Sequence, residues 1–218
     1  MSRIGKCMTF AAVAAIIFSA MINPVWAGQG KGNSSGNGGN KAAGALSTAE
    51  IEGLQFMREE EKLARDTYLE LYDAWGLAVF ENIAESEQQH TDTIESLLEK
   101  YDLEDPVSDE GVRGEFVDGE LAELFEMLME LGLTSATDGL VVGAMIEETD
   151  IVDIQEQIDL ADHEDIITAY ESLMCGSRNH LRAFARNLEA VGEVYEPIEL
   201  GDAFWAIADS PMEFCGEQ

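Results

Sequence analysis

Glu87 and His90 are the residues whose types and spacing most directly suggest chemistry. On a helix, residues three apart lie one turn apart on the same face, so the carboxylate and the imidazole point the same way. Such a pair can bind one metal ion, although a motif this short also arises by chance. Ile83 lies one turn before Glu87, and Ile94 lies one turn after His90. The pair therefore falls on an apolar stripe that is expected to face the protein interior.

Glu147 and Asp150 form a second acidic pair with the same three-residue spacing. Ala144 precedes this pair and Ile154 follows it at helical intervals, which again indicates a core-facing stripe. Glu148 competes with Glu147 for the inward position. The pattern predicts an inward acidic pair here and leaves its first member open.

Two further candidate ligands lie in the first and last of the long helical patterns. Within the run Glu59–Glu61, periodicity favours Glu60 over Glu61 as the inward carboxylate, and both stay candidates. His180 lies among apolar residues near the end of the domain, with Ser177 three residues before it. The chain thus offers several carboxylates and two imidazoles to one interior.

Burying so many carboxylates without compensation would be prohibitive, because each ionised group loses its hydration and like charges repel one another. Lys and Arg number only 12 in the whole chain, against 44 Asp and Glu. A bound metal ion is therefore a better candidate for neutralising the site than salt bridges. Oxygen-rich ligands with a minority of imidazole favour iron or manganese, in a mono- or dinuclear centre, and zinc would accept the same groups.

The elements that must position these residues are helices, because long patterns of 3.6-residue period contain almost no proline. Four long helices are expected, and a link of about 35 residues separates the second from the third. A four-helix bundle with one long crossover has the ferritin-like topology. The predicted long helices cover 47–75, about 79–101, from about 135, and about 162–191, with short helices near 120–131 in the link and 202–208 at the C-terminal end.

The first 27 residues have the pattern of a secretory signal peptide. Arg3 and Lys6 precede an apolar run, and Val25 and Ala27 supply the small residues of a cleavage site. The run is short for a transmembrane helix. We therefore expect a secreted or periplasmic protein with no stable membrane insertion after signal cleavage.

The rest of the chain divides by composition into three parts. Residues 28–45 are rich in Gly, Asn and Ser, as in a flexible linker. Residues 46–210 have the length of one domain with a proper core, and residues 211–218 form a C-terminal tail.

The net charge indicates which partners the protein can bind, and the cysteine content indicates whether it can form a disulfide. Without Arg3 and Lys6 the chain has 10 basic and 44 acidic residues, a formal charge near −34. That charge repels nucleic acid, so none is expected as a partner. Cys175 and Cys215 are the cysteines outside the signal peptide, and in an exported protein they are expected to form a disulfide that attaches the tail to the fourth helix.

Several motifs resemble those of a known superfamily. The pattern Phe80-Glu-x-x-Ala-Glu-x-Glu87-x-x-His90 resembles the second helix of rubrerythrins and related ferritin-like di-iron proteins. Glu61-x-x-Ala64-Arg65-x-x-Tyr68 is similar to their first helix, and Gly143-Ala-Met-Ile-Glu147-x-x-Asp150 resembles their third. The runs 59–66 and 176–182 look closer to an often exported prokaryotic ferritin-like family of unknown function, a resemblance that spans residues 48–208.

The resemblance implies a ligand set. By analogy Glu61 is the first-helix ligand, Glu87 bridges two metal ions and His90 binds one of them. The same analogy makes Glu147 and Asp150 ligands on the other side of the metal centre. The fourth helix departs from the superfamily, because Ser177 stands where a bridging glutamate is expected and only His180 remains as a ligand.

The resulting expectation is an exported ferritin-like protein with a mono- or dinuclear iron or manganese centre that supports oxidase, ferroxidase or peroxidase chemistry. Its expected partners are metal ions, and its redox partner is unknown. A homodimer is a candidate assembly. Whether there is turnover stays open. The alternatives are a non-catalytic protein that sequesters metal ions and a metal-free helical module that acts through a partner surface.

Overall fold

The computed structural model describes residues 45–215, and within them the fold is all-helical, with six helices and no strand. The predicted signal peptide (1–27) and nearly all of the predicted linker (28–45) lie outside the described residues. The short helices of the link and of the C-terminal end are confirmed. The helices are α1 Thr48–Trp75, α2 Ala78–Lys100, α3 Gly119–Gly132, α4 Ala136–Leu160, α5 Glu164–Val191 and α6 Asp202–Ala208.

Helix α1 begins with the capping box that its sequence predicts. The Ser47 hydroxyl accepts from the Glu50 amide, and the Glu50 carboxylate accepts from the Ser47 amide. The helix ends at Trp75 and is capped by Gly76, whose φ of 63° places it in the left-handed region that favours glycine. Only Gly76 and Leu77 separate α1 from α2, so the two helices are antiparallel neighbours.

Contacts along the four long helices fix their directions. Arg58 bonds to the Thr91 carbonyl and Arg65 to the Gln88 side chain, so α1 and α2 run antiparallel. At one end of α2, the ring of Phe80 packs on Phe184 of α5. Helices α4 and α5 also run antiparallel, as do α1 and α4 and α2 and α5.

Helices α2 and α4, by contrast, run parallel. Phe80, near the start of α2, lies next to Gly139, near the start of α4. At the other end, Tyr101 after α2 bonds to Asp165, and the backbone at Asp162 after α4 bonds to Glu50. The connection from residue 101 to 135, which contains α3, therefore returns the chain along the full length of the helices.

Buried charges on α1 hold this connection in place. The Arg58 guanidinium bonds to Asp105, the Lys62 ammonium to the Val112 carbonyl, and the Asp66 carboxylate accepts from the Gly114 amide. Glu59 accepts from the amides of Val117 and Asp118. Because α4 covers one face of α1 and the connection covers another, residues 57–68 are buried all round.

The C-terminal segment is attached to α4 and α5. Glu148 on α4 is fully buried and accepts from the Tyr195 hydroxyl and from the amides of Ile198, Glu199 and Leu200. Cys175 and Cys215 form the predicted disulfide, with their Cα atoms 5.6 Å apart. The disulfide attaches the tail to the fourth long helix, as the cysteine positions predict.

No helix within residues 45–215 combines the length and the apolar character needed to cross a bilayer.

Candidate metal centre

Five of the six predicted ligands converge in the interior, and each of the four long helices supplies at least one of them. The contributors are Glu61 from α1, Glu87 and His90 from α2, Glu147 from α4 and His180 from α5. For Glu87, His90 and Glu147 the apolar stripes found in the sequence explain the convergence, since each of these residues occupies a core-facing position of its helix. The three carboxylates are 1% exposed, and the two imidazoles are 8% and 7% exposed.

The five side chains form two triads that share Glu87. One triad is Glu61, Glu87 and His90, and the other is Glu87, Glu147 and His180. Within each triad the potential ligand atoms lie within 4.8 Å of one another. That spacing is compatible with three ligands that bind a common ion.

Glu87 faces one imidazole with each of its oxygens. Its Oε2 lies 2.7 Å from Nδ1 of His90, and its Oε1 lies 2.8 Å from Nδ1 of His180. The outer carboxylates complete the arrangement: Glu61 Oε2 lies 3.1 Å from His90 Nδ1, and Glu147 Oε2 lies 3.4 Å from His180 Nδ1. Both histidines therefore present the same ring nitrogen to the carboxylates.

Several of these close approaches lack hydrogen-bond geometry. Within the described residues, Glu61 Oε1, Glu87 Oε2, Glu147 Oε2 and His180 Nδ1 are buried polar atoms with no hydrogen bond. Buried polar atoms normally have partners, so a group of them around one carboxylate needs an explanation. Lone pairs that converge on a cation would supply one, and the donor set of oxygen and imidazole nitrogen fits iron or manganese.

The charges of these side chains affect one another's ionisation. Burial opposes ionisation of Glu87, but the facing imidazoles of His180 and His90 outweigh it and lower the pKa of this carboxyl. Burial raises the pKa of Glu61 and of Glu147 to about 7, with a further contribution from the charge of Glu87. The surrounding carboxylates overcome burial and raise the pKa of His180 to about 10. Without a metal ion, the protein therefore holds this cluster together with bound protons.

Neighbouring residues hold the predicted ligands in position. The Ser86 hydroxyl lies 2.8 Å from Nε2 of His180, so Nδ1 is left to face Glu87 and Glu147. The Tyr68 hydroxyl donates to Glu147 Oε1 at 2.5 Å. Tyr68 is thus a hydrogen-bond donor to one of the candidate ligands.

Asp150, the sixth predicted ligand, lies beside the triads and belongs to neither of them. Its pKa is raised well above the usual value, first by burial and then by the charges of Glu61, Glu147 and Glu87. Ser177, which stands in the position of the expected bridging glutamate, donates to the Leu173 carbonyl of its own helix at 2.9 Å. No fourth-helix carboxylate therefore joins the described cluster.

The structure also separates the two pairs of adjacent glutamates. Glu61 joins His90, whereas Glu60 faces Asp153 on α4. Glu147 joins His180, whereas Glu148 holds the C-terminal segment. Helical periodicity favoured Glu60, and the family resemblance favoured Glu61.

Two residues near the triads, Ser86 and Asp153, were not predicted from the sequence. Ser86 carries no motif of its own, and only its position next to Glu87 could have drawn attention to it. Asp153 continues the three-residue spacing of Glu147 and Asp150 along α4, which is a signal that the sequence does contain. Its carboxyl group pairs with Glu60, outside the triads.

Comparisons with known proteins agree on the family. A family model described as an uncharacterized protein domain (DUF2202) matches residues 50–207. The uncharacterized protein MJ0754 of Methanocaldococcus jannaschii is 52% identical over 152 residues, which are 70% of this chain and 82% of that protein. The crystal structure of hypothetical protein MJ0754 from Methanococcus jannaschii DSM 2661 has a TM-score of 0.76 at 46% identity, covering 80% of this chain and 100% of the other. The family match and this identity lead to one conclusion: the chain belongs to the DUF2202 family.

Proposed function

We propose that this protein is an exported ferritin-like four-helix bundle that binds iron or manganese between its four long helices. The observation that carries the proposal is the position of Glu87, whose two oxygens each face the Nδ1 of a different histidine. A carboxylate placed in this way suits a bridge between two metal ions.

The architecture supports the ferritin-like assignment. Two antiparallel pairs, α1 with α2 and α4 with α5, are joined by a connection that returns along the length of the helices. Parallel second and third long helices require such a crossover, whereas an up-down bundle needs only short loops.

The ligands of the proposed centre divide between two positions. Glu61 and His90 would hold one ion, Glu147 and His180 would hold the other, and Glu87 would serve both. Asp150 remains in the proposed ligand set as a buried carboxylate one turn from Glu147, with its Oδ1 free of hydrogen bonds within the described residues. Because Ser177 supplies no second bridge, a mononuclear centre is the alternative when one position binds more weakly.

Iron or manganese bound here supplies one-electron redox chemistry and Lewis acidity. The protein limits which molecules can reach the site. The two imidazoles are slightly exposed, whereas the three carboxylates are almost fully buried. A surface cleft of about 330 Å³ is lined by residues 106–109, 114–117 and Ala122, and includes none of the ligands. An opening limited to the edges of two largely buried imidazoles suits water, dioxygen or peroxide, in line with oxidase, ferroxidase or peroxidase activity.

Sequestration of metal without turnover is the competing function, and the excess of 44 acidic over 12 basic residues favours it. The two functions differ in stoichiometry and affinity. A catalytic centre binds a small fixed number of ions tightly, whereas sequestration by surface carboxylates binds several ions weakly. Turnover of peroxide or dioxygen by the loaded protein would decide between them.

Elemental analysis of the protein purified without chelator tests the proposal. We expect about one to two equivalents of iron or manganese per chain, as a mono- or dinuclear carboxylate centre requires. Glu87→Gln should lose this metal without unfolding. Glu85→Gln, an exposed glutamate two residues earlier on α2, is the matched control and should retain it. A folded protein that takes up neither metal, or a Glu87→Gln variant that keeps its metal, would contradict the proposal.

A further inference from the structure

A strap formed by residues 211–215 lies against α5, and apolar burial does not hold it there. The strap follows α6 and contains no helix. Its two large apolar side chains, Met212 and Phe214, are 60% and 86% exposed. Burial of apolar surface is the dominant source of cohesion between packed segments, so the strap has to be held by other interactions.

Glu213 is the polar anchor of the strap. Its carboxylate accepts from Arg178 at 3.0 and 2.7 Å, and it also accepts from Arg182. Its backbone amide donates to the Asn179 side chain at 2.9 Å, and its carbonyl accepts from the same side chain at 3.1 Å. The side chains of Arg178 and Glu213 are 32% and 34% exposed, so water weakens the attraction between them.

The disulfide between Cys175 and Cys215 is the covalent attachment of the strap. Cys215 is exposed at the end of the strap, whereas Cys175 is 9% exposed on α5. Disulfide exchange requires a thiolate to reach one of the two sulfurs, and exposed disulfides are typically the labile or regulatory ones. A small dithiol can therefore attack this disulfide from the side of Cys215 while the protein is folded.

The strap is attached to the two turns of α5 that contact both histidines of the candidate centre. Gly176 follows Cys175 in the chain, and its backbone packs against the imidazole of His90. His180 lies within the stretch 178–182 that binds Glu213, and its ring faces the interior. The strap therefore braces the part of α5 that positions both imidazoles.

We propose that the disulfide between Cys175 and Cys215 is a redox-controlled clasp that determines how long the centre retains its metal. In the oxidised protein the strap braces residues 175–182. Reduction leaves the strap with the partly exposed contacts of Glu213, so it detaches and this stretch of α5 gains mobility. The metal then leaves the centre faster. The effect on metal rests on the proposed function, whereas detachment of the strap does not.

The reductant of this clasp is a dithiol. One of its thiolates attacks the sulfur of Cys215, the bond between the two cysteine sulfurs breaks, and Cys175 leaves as a thiolate that takes up a proton. The second thiol of the reductant then displaces Cys215 from the mixed disulfide. Two electrons and two protons pass to the protein, which gains two thiols, and the reductant becomes a cyclic disulfide.

Alkylation and hydrogen exchange test the clasp without any metal. After dithiothreitol treatment in the absence of denaturant, iodoacetamide should modify both Cys175 and Cys215, as mass spectrometry of their peptides would show. Exchange of the Glu213 amide, which is bonded to Asn179, should become about tenfold faster than in the oxidised protein. A disulfide that reacts only after unfolding, or a strap that stays protected when reduced, would overturn the clasp.

The rate of Co²⁺ release tests the link to the centre. Oxidised protein, and reduced protein freed of dithiothreitol, are loaded with Co²⁺ and mixed with excess chelator, and the visible absorption of bound Co²⁺ is followed. Both forms should show the same spectrum before mixing, since the triads are intact. We expect release to be about tenfold faster from the reduced protein, because local opening exposes the ion. Reoxidation should restore the slow rate.

Two variants complete the test. Cys215→Ser has no clasp, so it should release Co²⁺ at the rate of the reduced protein, and dithiothreitol should leave that rate unchanged. Glu213→Gln keeps the disulfide and loses the carboxylate that binds Arg178 and Arg182. It should release Co²⁺ slowly while oxidised. Fast release from oxidised Glu213→Gln would show that the ion pairs, and not the disulfide, hold the strap.

The outcomes separate this inference from the proposed function. Equal release rates from the oxidised protein, the reduced protein and Cys215→Ser would overturn the regulation and leave the metal centre supported. A reduced protein with a lower melting temperature and an unchanged release rate would show that the disulfide is a structural link only. Absence of bound Co²⁺ in the oxidised protein would overturn both the centre and its regulation.

Discussion

The backbone of Gly176 on α5 packs directly against the imidazole of His90 on α2. A Cβ at this position would lie 2.7 Å from Cε1 of the ring and would overlap Nε2. A glycine is therefore required here for steric reasons, because the helical backbone itself forms the wall behind the imidazole. This wall keeps Nδ1 of His90 turned towards Glu61 and Glu87.

Gly176→Ala should displace the His90 ring and weaken the metal centre. We expect a loss of about 1–3 kcal/mol in the free energy of unfolding, as for other overpacked sites. Metal per chain should fall in parallel. Elemental analysis and thermal melting measure the two effects. Gly119→Ala is the control, since a Cβ there meets nothing within 4 Å. Full metal content in Gly176→Ala would show that His90 is not held in this way.

Ser86→Ala should lower metal affinity without removing a ligand. The hydroxyl of Ser86 partners Nε2 of His180, and loss of such an outer contact typically costs about 10–100-fold in affinity. Competition with a chelator of known affinity gives the change. Ser96→Ala on the same helix removes an exposed hydroxyl that donates to the Asp92 carbonyl of its own helix, and it should bind metal normally. Equal affinities for the two variants would exclude a positioning role for Ser86.

Glu147→Gln and Glu148→Gln should have opposite effects, although the two residues are adjacent. Glu148→Gln loses a carboxylate that accepts from four donors, so it should destabilise the protein by about 2–3 kcal/mol while the triads stay complete. Glu147→Gln should lose metal and should not destabilise the metal-free protein, because burial already disfavours its charge. Denaturant unfolding and elemental analysis of both variants are the measurements. Metal loss confined to Glu148→Gln would reverse our assignment.

The metal-free protein should lose stability as the pH rises. The pKa values of Glu61, Glu147 and Asp153 are raised to about 7 in the folded state, so the folded state binds more protons than the unfolded state between about pH 4 and 7. Each group then costs up to about 1.4 kcal/mol per pH unit in that window. His180, raised from 6.5 to about 10, adds stability that is complete below pH 6.5 and lost as the pH approaches 10. Glu87, whose pKa is lowered, acts in the opposite direction and only below about pH 4.5.

Metal should reverse this trend, because ligands bind the ion in their deprotonated forms. Melting temperatures recorded between pH 5 and 9 for the metal-free and the metal-loaded protein would test this. We expect the difference between the two forms to widen as the pH rises. A metal-free protein that becomes more stable over the same range would contradict the assigned burial of these carboxylates.

The sequence by itself determined the helices and the residues on their apolar stripes. The capping box at Ser47, the breaks at Gly76 and within 101–135, and the Glu87 and His90 pair are all local signals. Each of them depends on residues within one or two turns, where periodicity and turn chemistry are decisive. The disulfide partners could also be named in advance, because Cys175 and Cys215 alone follow the predicted signal peptide.

Helical periodicity could not decide which of two adjacent acids lies beside the histidines, and the tertiary structure did. Between residues 57 and 68, helix α1 is covered by α4 on one side and by the connection on the other. Every face of this part of the helix is therefore buried, whether its residues are apolar or charged. Helical periodicity identifies an inward face by its contrast with an exposed face, and this part of α1 has no exposed face. The periodicity therefore favoured Glu60, whereas Glu61 belongs to the triad. Glu147 and Glu148 likewise both lie in the interior, one beside His180 and the other beneath the C-terminal segment. The physical reason is that these assignments depend on helices distant in sequence, whose packing no local pattern describes.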